Sequence, residues 1–322
     1  MGDDLHVVFG SGPAGRAVAT ELEHQGVPTR IVNHSGRPVL DGIETVGGDV
    51  TDAQFASAAA RGAHTVYFCL NAPHYHRWAE EFPPLQEAVV DAAGAAGARL
   101  VVLENLYMYG PTGGAPMTES TPVNPTSTKS AVRARMSEAL MDAHRRGRVE
   151  VTIGRAADFI GPGVAASAMG ELVFGAALAG KKARTMGRPD TLHSYSYVPD
   201  IGRNLVLLGG RDEAFGRVWH LPNPPTRTTR AVITDVYSAL DQPARLAVLN
   251  KPMLRAIGLF NRDVRELLST YYQFDAPFIA DHSVFAAAFG GHVTDWNEII
   301  HNTLVSHRHL APPRADAAMP SH

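Results

Sequence analysis

Gly10, Gly12 and Gly15 stand at the spacing G-x-G-x-x-G in Gly10-Ser-Gly12-Pro-Ala-Gly15. The apolar run Leu5 to Phe9 leads directly into them, and an amphipathic stretch from Arg16 to His24 follows. Between a strand and a helix this spacing suits a pyrophosphate. Gly10 permits the tight turn, Gly12 lets the backbone approach the ligand, and Gly15 lets helix and strand pack closely. Pro13 and Ala14 belong to the first helical turn, whose unpaired N–H groups and partial positive charge face the phosphates. A dinucleotide site is therefore expected here.

The ribose on the adenine side is read at the end of the second strand. An acid there would hold the 2′-hydroxyl of NAD, but this chain has Asn33-His34-Ser35-Gly36-Arg37. A hydroxyl and an arginine in place of the acid suit a 2′-phosphate, because the guanidinium fork matches phosphate geometry. NADP(H) is accordingly expected in preference to NAD(H), with Asn33, Ser35 and Arg37 as contacts. The alternative is NAD, with Asn33 on its ribose and Arg37 an ordinary loop arginine. Asp49 and Val50 fall where the adenine is bracketed, and Leu70, Asn71 and Ala72 where the far ribose and phosphates pass.

A second group of reactive side chains lies in Asn71-Ala-Pro-His74-Tyr75-His76-Arg-Trp78, after a strand end where ligand loops gather. His74, Tyr75 and His76 are expected to contact substrate, with Trp78 as a pocket wall. No carboxylate or further histidine accompanies them at a helical spacing, so no metal site is expected. His193-Ser-Tyr195-Ser-Tyr197 alternates as a strand. That alternation would turn His193, Tyr195 and Tyr197 towards the cleft, or bury them as aromatic packing. His301, His307 and His309 lack metal spacing and are expected at the surface.

Alternating strands and helices must carry these residues. Strands are expected at Leu5 to Phe9, Thr29 to Asn33, Thr45 to Gly47, His64 to Leu70, Arg99 to Leu103 and Val149 to Arg155. Helices are expected at Gln54 to Arg61, from about Pro84 to Ala96, and from about Lys129 to Arg146. The pattern implies an α/β protein, a Rossmann-type doubly wound parallel sheet with helices on both faces. A dinucleotide-binding domain is expected over residues 1–160, with the segment 185–222 returning to it. The smaller substrate-binding region would span 161–311, and 312–322 would be a disordered tail, as would Met1 to Asp4. Leu246 to Phe260 and Tyr271-Tyr272-Gln-Phe274 would supply a pocket or lid for a fairly hydrophobic substrate, or equally a dimer surface or core.

The composition excludes several classes. The chain has 322 residues and a net charge of −3, with no long basic run, which argues against nucleic acid as a partner. Cys69 is the only cysteine, so neither an internal disulfide nor a thiolate metal site can form. With no apolar run long enough to span a bilayer and a first strand at Leu5, a cytoplasmic protein with no membrane partner is expected.

Four later segments carry a family resemblance. Leu103-Glu-Asn-Leu-Tyr-Met-Tyr-Gly-Pro111 resembles the strand-end motif of extended short-chain dehydrogenase/reductases, the NAD-dependent epimerase/dehydratase family. Thr118-Glu-Ser-Thr-Pro122 resembles the family's T/E-x-x-P loop. Gly154-Arg-Ala-Ala-Asp-Phe-Ile-Gly-Pro162 resembles its R-x-x-x-x-Y-G-P motif, and Tyr197-Val-Pro-Asp-Ile201 its hV-x-D-v motif. With the glycine-rich turn, the resemblance covers about residues 5 to 222. The family's acid, however, is missing. Its Ser position holds Asn105, its Tyr position falls at Ser130 and the Lys of Tyr-x-x-x-Lys at Ala134.

The resemblance directs attention to what stands in their place. Lys129 is the only lysine in the first 180 residues and sits where the family's catalytic helix begins. Burial beside a nicotinamide ring would tune it for acid/base work. Asn105, Tyr107 and Tyr109 share one face if the segment is extended. Tyr107 or Lys129 would then supply the proton, Asn105 would orient a carbonyl, and Tyr109 would touch substrate or merely pack. Glu104 is a conceivable buried partner for Lys129. The implied activity is hydride transfer between NADP(H) and a carbonyl or conjugated double bond of a small, fairly hydrophobic molecule. An epimerase or dehydratase with transient oxidation, and a dinucleotide-sensing regulator without turnover, are the alternatives. A homodimer is a further implication of the resemblance.

Overall fold

The computed structural model describes residues 4–260 and 262–310. The expected disorder of 1–3 and 312–322 falls outside the described residues. The first half alternates as expected: β1 Leu5–Phe9, α1 Pro13–His24, β2 Thr29–Asn33, β3 Glu44–Gly47, α2 Ala53–Ala60, β4 Ala63–Phe68, α3 Trp78–Ala96, β5 Arg99–Glu104, α4 Thr128–Arg145 and β6 Val151–Arg155. The second half is more broken. It holds β7 Asp158–Ile160, α5 Ala176–Leu178, β8 Ala183–Met186, β9 Leu192–His193, β10 Tyr195–Tyr197, α6 Val198–Gly209, β11 Val218–His220 and β12 Arg227–Thr228. It ends with α7 Thr229–Ser238, β13 Leu246–Leu249, α8 Lys251–Gly258, α9 Arg262–Leu267, α10 Ser283–Phe289 and α11 Trp296–Leu310.

Seven strands form one sheet in the order β11-β6-β5-β4-β1-β2-β3, with every pair parallel. The fold is a Rossmann-type doubly wound sheet. Side-chain alternation places Val7, Phe9, Val66 and Phe68 in one core with α2, α3 and α4. Val8, Ile31, Tyr67 and Val101 join the opposite core, with residues of α1 and α6. Both faces of the central strands are thus buried, as parallel sheets require. Gly202 of α6 lets that helix lie against α1, since a Cβ there would stand 2.5 Å from the Ala17 carbonyl carbon. The remaining strands pair two by two, β7 with β10, β8 with β13 and β9 with β12.

Capping fixes the helix starts. Ser127 and Ser130 close a reciprocal capping box on α4, and Asp52 accepts from Gln54 and Phe55 on α2. Three expectations are corrected. Helix α3 begins at Trp78 rather than Pro84, with Pro83 and Pro84 inside it. Burial of Trp78 and Phe82, in edge contact at 5.2 Å, offsets the backbone bonds those prolines cannot make. The strand after Ala63 stops at Phe68 instead of Leu70. The alternation over 193–197 is split at Ser194, where the backbone N–H turns to the Phe278 carbonyl (2.8 Å).

Candidate active site

The strand order reverses at β1, the position where doubly wound sheets open a crevice at their carboxyl ends. Gly10 sits there with φ +112°, and a Cβ on it would stand 2.6 Å from the Cys69 carbonyl oxygen. A Cβ on Gly15 would stand 1.9 Å from the Gly10 oxygen, whereas one on Gly12 meets nothing within 4 Å. Two glycines are therefore demanded by the fold, and the middle one leaves open backbone. Helix α1 begins there with Pro13, without an acid in its first turn or a side-chain cap on Gly12. An anion at this terminus would meet Ala14 and Gly15 N–H groups with no competing carboxylate. The cradle fits the pyrophosphate of a dinucleotide.

At the end of β2 the side chain of Asn33 is already engaged. Its Oδ1 accepts from Gly36 N (2.7 Å) and Ser35 Oγ (3.3 Å), and its Nδ2 donates to the Arg37 carbonyl (3.1 Å). Asn33 therefore shapes the loop and holds Ser35 and Arg37 at the surface. Asp49 is also exposed, and its carboxyl is held below the ordinary range by hydrogen bonds from Thr51. Val50 and Ala72 are buried in the same core cluster. Leu70 and Asn71 follow β4, where the Asn71 Oδ1 accepts from Ala72 N (3.0 Å).

The segment after β5 departs from the expected extended geometry. Asn105 Oδ1 accepts the Tyr107 N–H (3.2 Å), and Tyr107–Tyr109 wind into a 3₁₀ turn. Such a turn sends residues two apart in different directions. Tyr107 stacks on Trp78 (centroids 6.1 Å, interplanar 24°). Tyr109 points inward, into a buried polar network. Arg155 Nη1 donates to the Tyr109 oxygen (2.6 Å), Arg155 Nε to Glu104 (3.0 Å) and Arg155 Nη2 to Ser137 (2.7 Å).

The neighbouring His220 fixes the protons of this network. Its Nδ1 donates to the Asp281 carbonyl (2.9 Å), so Nε2 is the acceptor of the Tyr109 hydroxyl (2.8 Å). Burial, followed by the Arg155 charge, holds the imidazole down at about 4, which keeps it neutral. Burial raises the Tyr109 phenol against the pull of Arg155. Tyr109 is thus saturated inside the protein, and Glu104 pairs with Arg155, not with Lys129.

Lys129 is buried in the first turn of α4, and its Nζ pairs with the Glu266 carboxylate, carried in from α9. One turn along, Arg133 is also buried. Its guanidinium lies over Phe82 (4.9 Å) and reaches the Leu103 carbonyl (3.4 Å), but its Nε and Nη1 find no acceptor among the described residues. Burial pulls its pKa down from the ordinary value, with Glu104 opposing. Neither Arg133 nor Glu266 was singled out in the sequence. Arg133 stands one position before Ala134, and Glu266 gives no local signal.

The remaining candidates separate into two groups. His74 is exposed and tied to Glu81 through both its N–H (3.0 Å) and Nδ1 (2.9 Å). His76 lies beside it at 5.9 Å, and Tyr75 belongs to the same short turn, which packs against α9. His193 and Tyr195 are instead enclosed. His193 Nε2 donates to Asp158 (2.9 Å) while its ring stacks on Phe274 and Phe278, and Tyr195 shares a hydrogen bond with Thr229 (2.8 Å). His307, expected at the surface, is buried against Phe174. Among the described residues no three His, Cys, Asp or Glu side chains cluster as a metal site, and no helix is long and apolar enough to cross a membrane.

Several solved structures share this architecture. A nucleoside-diphosphate-sugar epimerase from Pseudomonas aeruginosa superposes with a TM-score of 0.76 at 16% identity, over 96% of this chain and 99% of that one. A dTDP-glucose 4,6-dehydratase from Streptomyces venezuelae, with NAD and DAU bound, gives 0.77 at 17% identity, over 94% and 96%. A UDP-glucose 4-epimerase from Thermotoga maritima, with UDP-glucose, gives 0.76 at 15% identity, over 95% and 99%. At these identities the likeness concerns the fold. No curated protein matches by sequence. The family model described as NAD dependent epimerase/dehydratase family matches residues 7–218. That span takes in the glycine-rich turn, the β5 end and the Arg155 network. This chain belongs to the NAD dependent epimerase/dehydratase family, a family of NAD-dependent enzymes.

Proposed function

We propose that this chain is an NADP(H)-linked oxidoreductase acting on a carbonyl or conjugated double bond of a small organic molecule. The observation that carries the reading is the glycine turn, where Gly10 and Gly15 have no room for a side chain while Gly12 does. Room at the middle glycine alone is what a pyrophosphate approaching the backbone needs. The preference for NADP(H) rests on Asn33. Its carbonyl oxygen already accepts two donors, one of them the exposed Ser35 hydroxyl, which leaves the exposed Arg37 side chain to meet a 2′-substituent beside Ser35.

Gly10, Gly12, Pro13, Ala14 and Gly15 would hold the pyrophosphate, Asp49 and Val50 the adenine, and Leu70 to Ala72 the far ribose. The bound nicotinamide supplies or removes hydride. Asn105 sits at the β5 end to orient the substrate oxygen, and Tyr107 and Lys129 are the groups that would exchange a proton with it. Tyr107, half-buried and stacked on the core residue Trp78, would offer a flat apolar face, which supports a fairly hydrophobic substrate. His74, Tyr75 and His76 would meet the substrate from the short turn that packs against α9. Tyr109, His193 and Tyr195 act from behind, by fixing the walls.

A second reading is favoured by the family itself, an epimerase or dehydratase that oxidises its substrate transiently and returns the hydride. Such an enzyme recycles its nucleotide and gains little from a loop that reads a 2′-phosphate. Fluorescence titration with NADPH and NADH, repeated on Arg37→Ala, tests the proposal. Expected is tighter binding of NADPH, weakened by roughly tenfold or more in the variant with NADH unaffected. Equal binding of the two nucleotides in both proteins would move the second reading to the front, and binding of neither would sink the redox assignment.

A further inference from the structure

The Lys129–Glu266 pair joins two parts of the molecule that differ in how they are held. Lys129 belongs to α4, which packs into the main core, and only 4% of its side chain is exposed. Glu266 belongs to α9, and 32% of its side chain is exposed. The flap α8–α9 rests on a small separate cluster of Met186, Leu254, Tyr271 and Phe274. Its outer tip leaves Leu259 and Phe260 in solvent, 78% and 95% exposed. A well-fixed cation is thus met by a carboxylate that enters from the solvent side on a lightly held element.

A buried ammonium needs an anion beside it. Arg133 lies one turn along the same face of α4, also buried, with no acceptor for its Nε and Nη1 among the described residues. It stands within electrostatic reach of Tyr107, whose ring stacks on Trp78. The two cations share one face of α4, and the second lies near the Tyr107–Trp78 stack, a combination that suits an anion attached to a planar, unsaturated body. The group that fills this place in the closed molecule is a carboxylate of the chain's own.

We propose that the substrate carries a carboxylate, and that Glu266 stands in for it on Lys129 while the flap is shut. Substrate entry then exchanges one carboxylate for another, and the flap is released as the site fills. A single-charged carboxylate matches what Glu266 brings, whereas a phosphate ester would bring a second charge. The inference rests on the reading of this site as the reaction centre.

The test uses the full chain and calorimetric binding of benzoate, with benzamide as its neutral isostere and inorganic phosphate as the alternative anion. Glu266→Gln keeps the shape of the side chain and removes its charge. Expected is benzoate binding roughly tenfold or more tighter in Glu266→Gln than in the unsubstituted chain, with benzamide equal in both. Adding Lys129→Gln to the variant should abolish the gain, circular dichroism confirming the fold of each protein. Equal benzoate affinity with and without Glu266, or a parallel gain for benzamide, overturns the stand-in role. A gain for phosphate without one for benzoate overturns the carboxylate assignment. NADPH titration of the same samples separates the two readings. A benzoate response without nucleotide binding leaves this inference standing while the redox function falls, and nucleotide binding without a benzoate response does the reverse.

Discussion

Tyr107 and Tyr109 differ by two positions and have opposite roles. In an extended segment both would face the cleft with Asn105. The Asn105 side chain instead captures the Tyr107 N–H and winds the segment into a 3₁₀ turn, a local choice that strand periodicity cannot anticipate. Tyr109 then donates to His220 and accepts from Arg155 deep in the protein. Tyr109→Phe is expected to leave a buried guanidinium N–H and the His220 Nε2 without partners. Each loss of that kind costs about 1–3 kcal/mol. Urea unfolding should therefore show a clear drop in midpoint, while NADPH affinity is unchanged; an unchanged midpoint with lost nucleotide binding would place Tyr109 in the site after all. Three of the motifs by which the family is legible lie in this buried scaffolding. Tyr109 and Arg155 belong to it directly, and Glu119 accepts the His220 N–H (2.8 Å). The motifs mark what holds the site, which is why they identify the family yet name no proton donor.

The strand–turn–helix from β1 to α1 is the element whose geometry was most legible in the sequence, because its glycines answer separate steric demands. That separation makes a sharp comparison possible. Gly15→Ala would drive a methyl to 1.9 Å from the Gly10 oxygen, so α1 must shift off the sheet. Overpacking of this kind costs several kcal/mol, of the order of 1–3 or more. Gly12→Ala meets nothing within 4 Å, so the fold should be untouched. Its methyl would occupy the pyrophosphate approach instead. Expected is a normal melting temperature with NADPH affinity reduced roughly tenfold or more for Gly12→Ala, and a lowered melting temperature for Gly15→Ala. The flap element gave no such warning. Glu266 meets Lys129 across 137 positions of sequence, and no local pattern reports a contact made only in three dimensions. Helix α3 was misjudged for a related reason, since burial of Trp78 and Phe82 overrides the prolines that read as its start.

Across the whole molecule, the edge strand β11 is locked to distant chain segments through one neutral histidine. His220 accepts from Tyr109 behind β5 and donates to the Asp281 carbonyl, and its own N–H binds Glu119. Unfolded, its imidazole takes a proton near pH 6.5; folded, burial and then the Arg155 charge hold it off until about pH 4. Between those values the unfolded chain binds a proton that the native chain refuses, so stability falls as the pH drops. The contribution is whole above pH 6.5 and lost by about pH 4. Its size is on the order of 3 kcal/mol. His6, at the start of β1, is held at about 4 by burial and then by His64, and adds to the slope in the same window. The paired carboxylates do not offset it, since Asp49 and Asp281 are held below their ordinary range and lose their charge only at more acid pH. Urea midpoints should therefore decline steadily from neutral pH to about pH 4.5. His220→Gln keeps a polar group in place but cannot take the proton, and should leave a shallower slope, with His6 and His282, both also lowered by burial, supplying what remains. Identical slopes in the two proteins would mean that His220 reaches water in the native state, and that the clasp between β11 and the Asp281 segment is open.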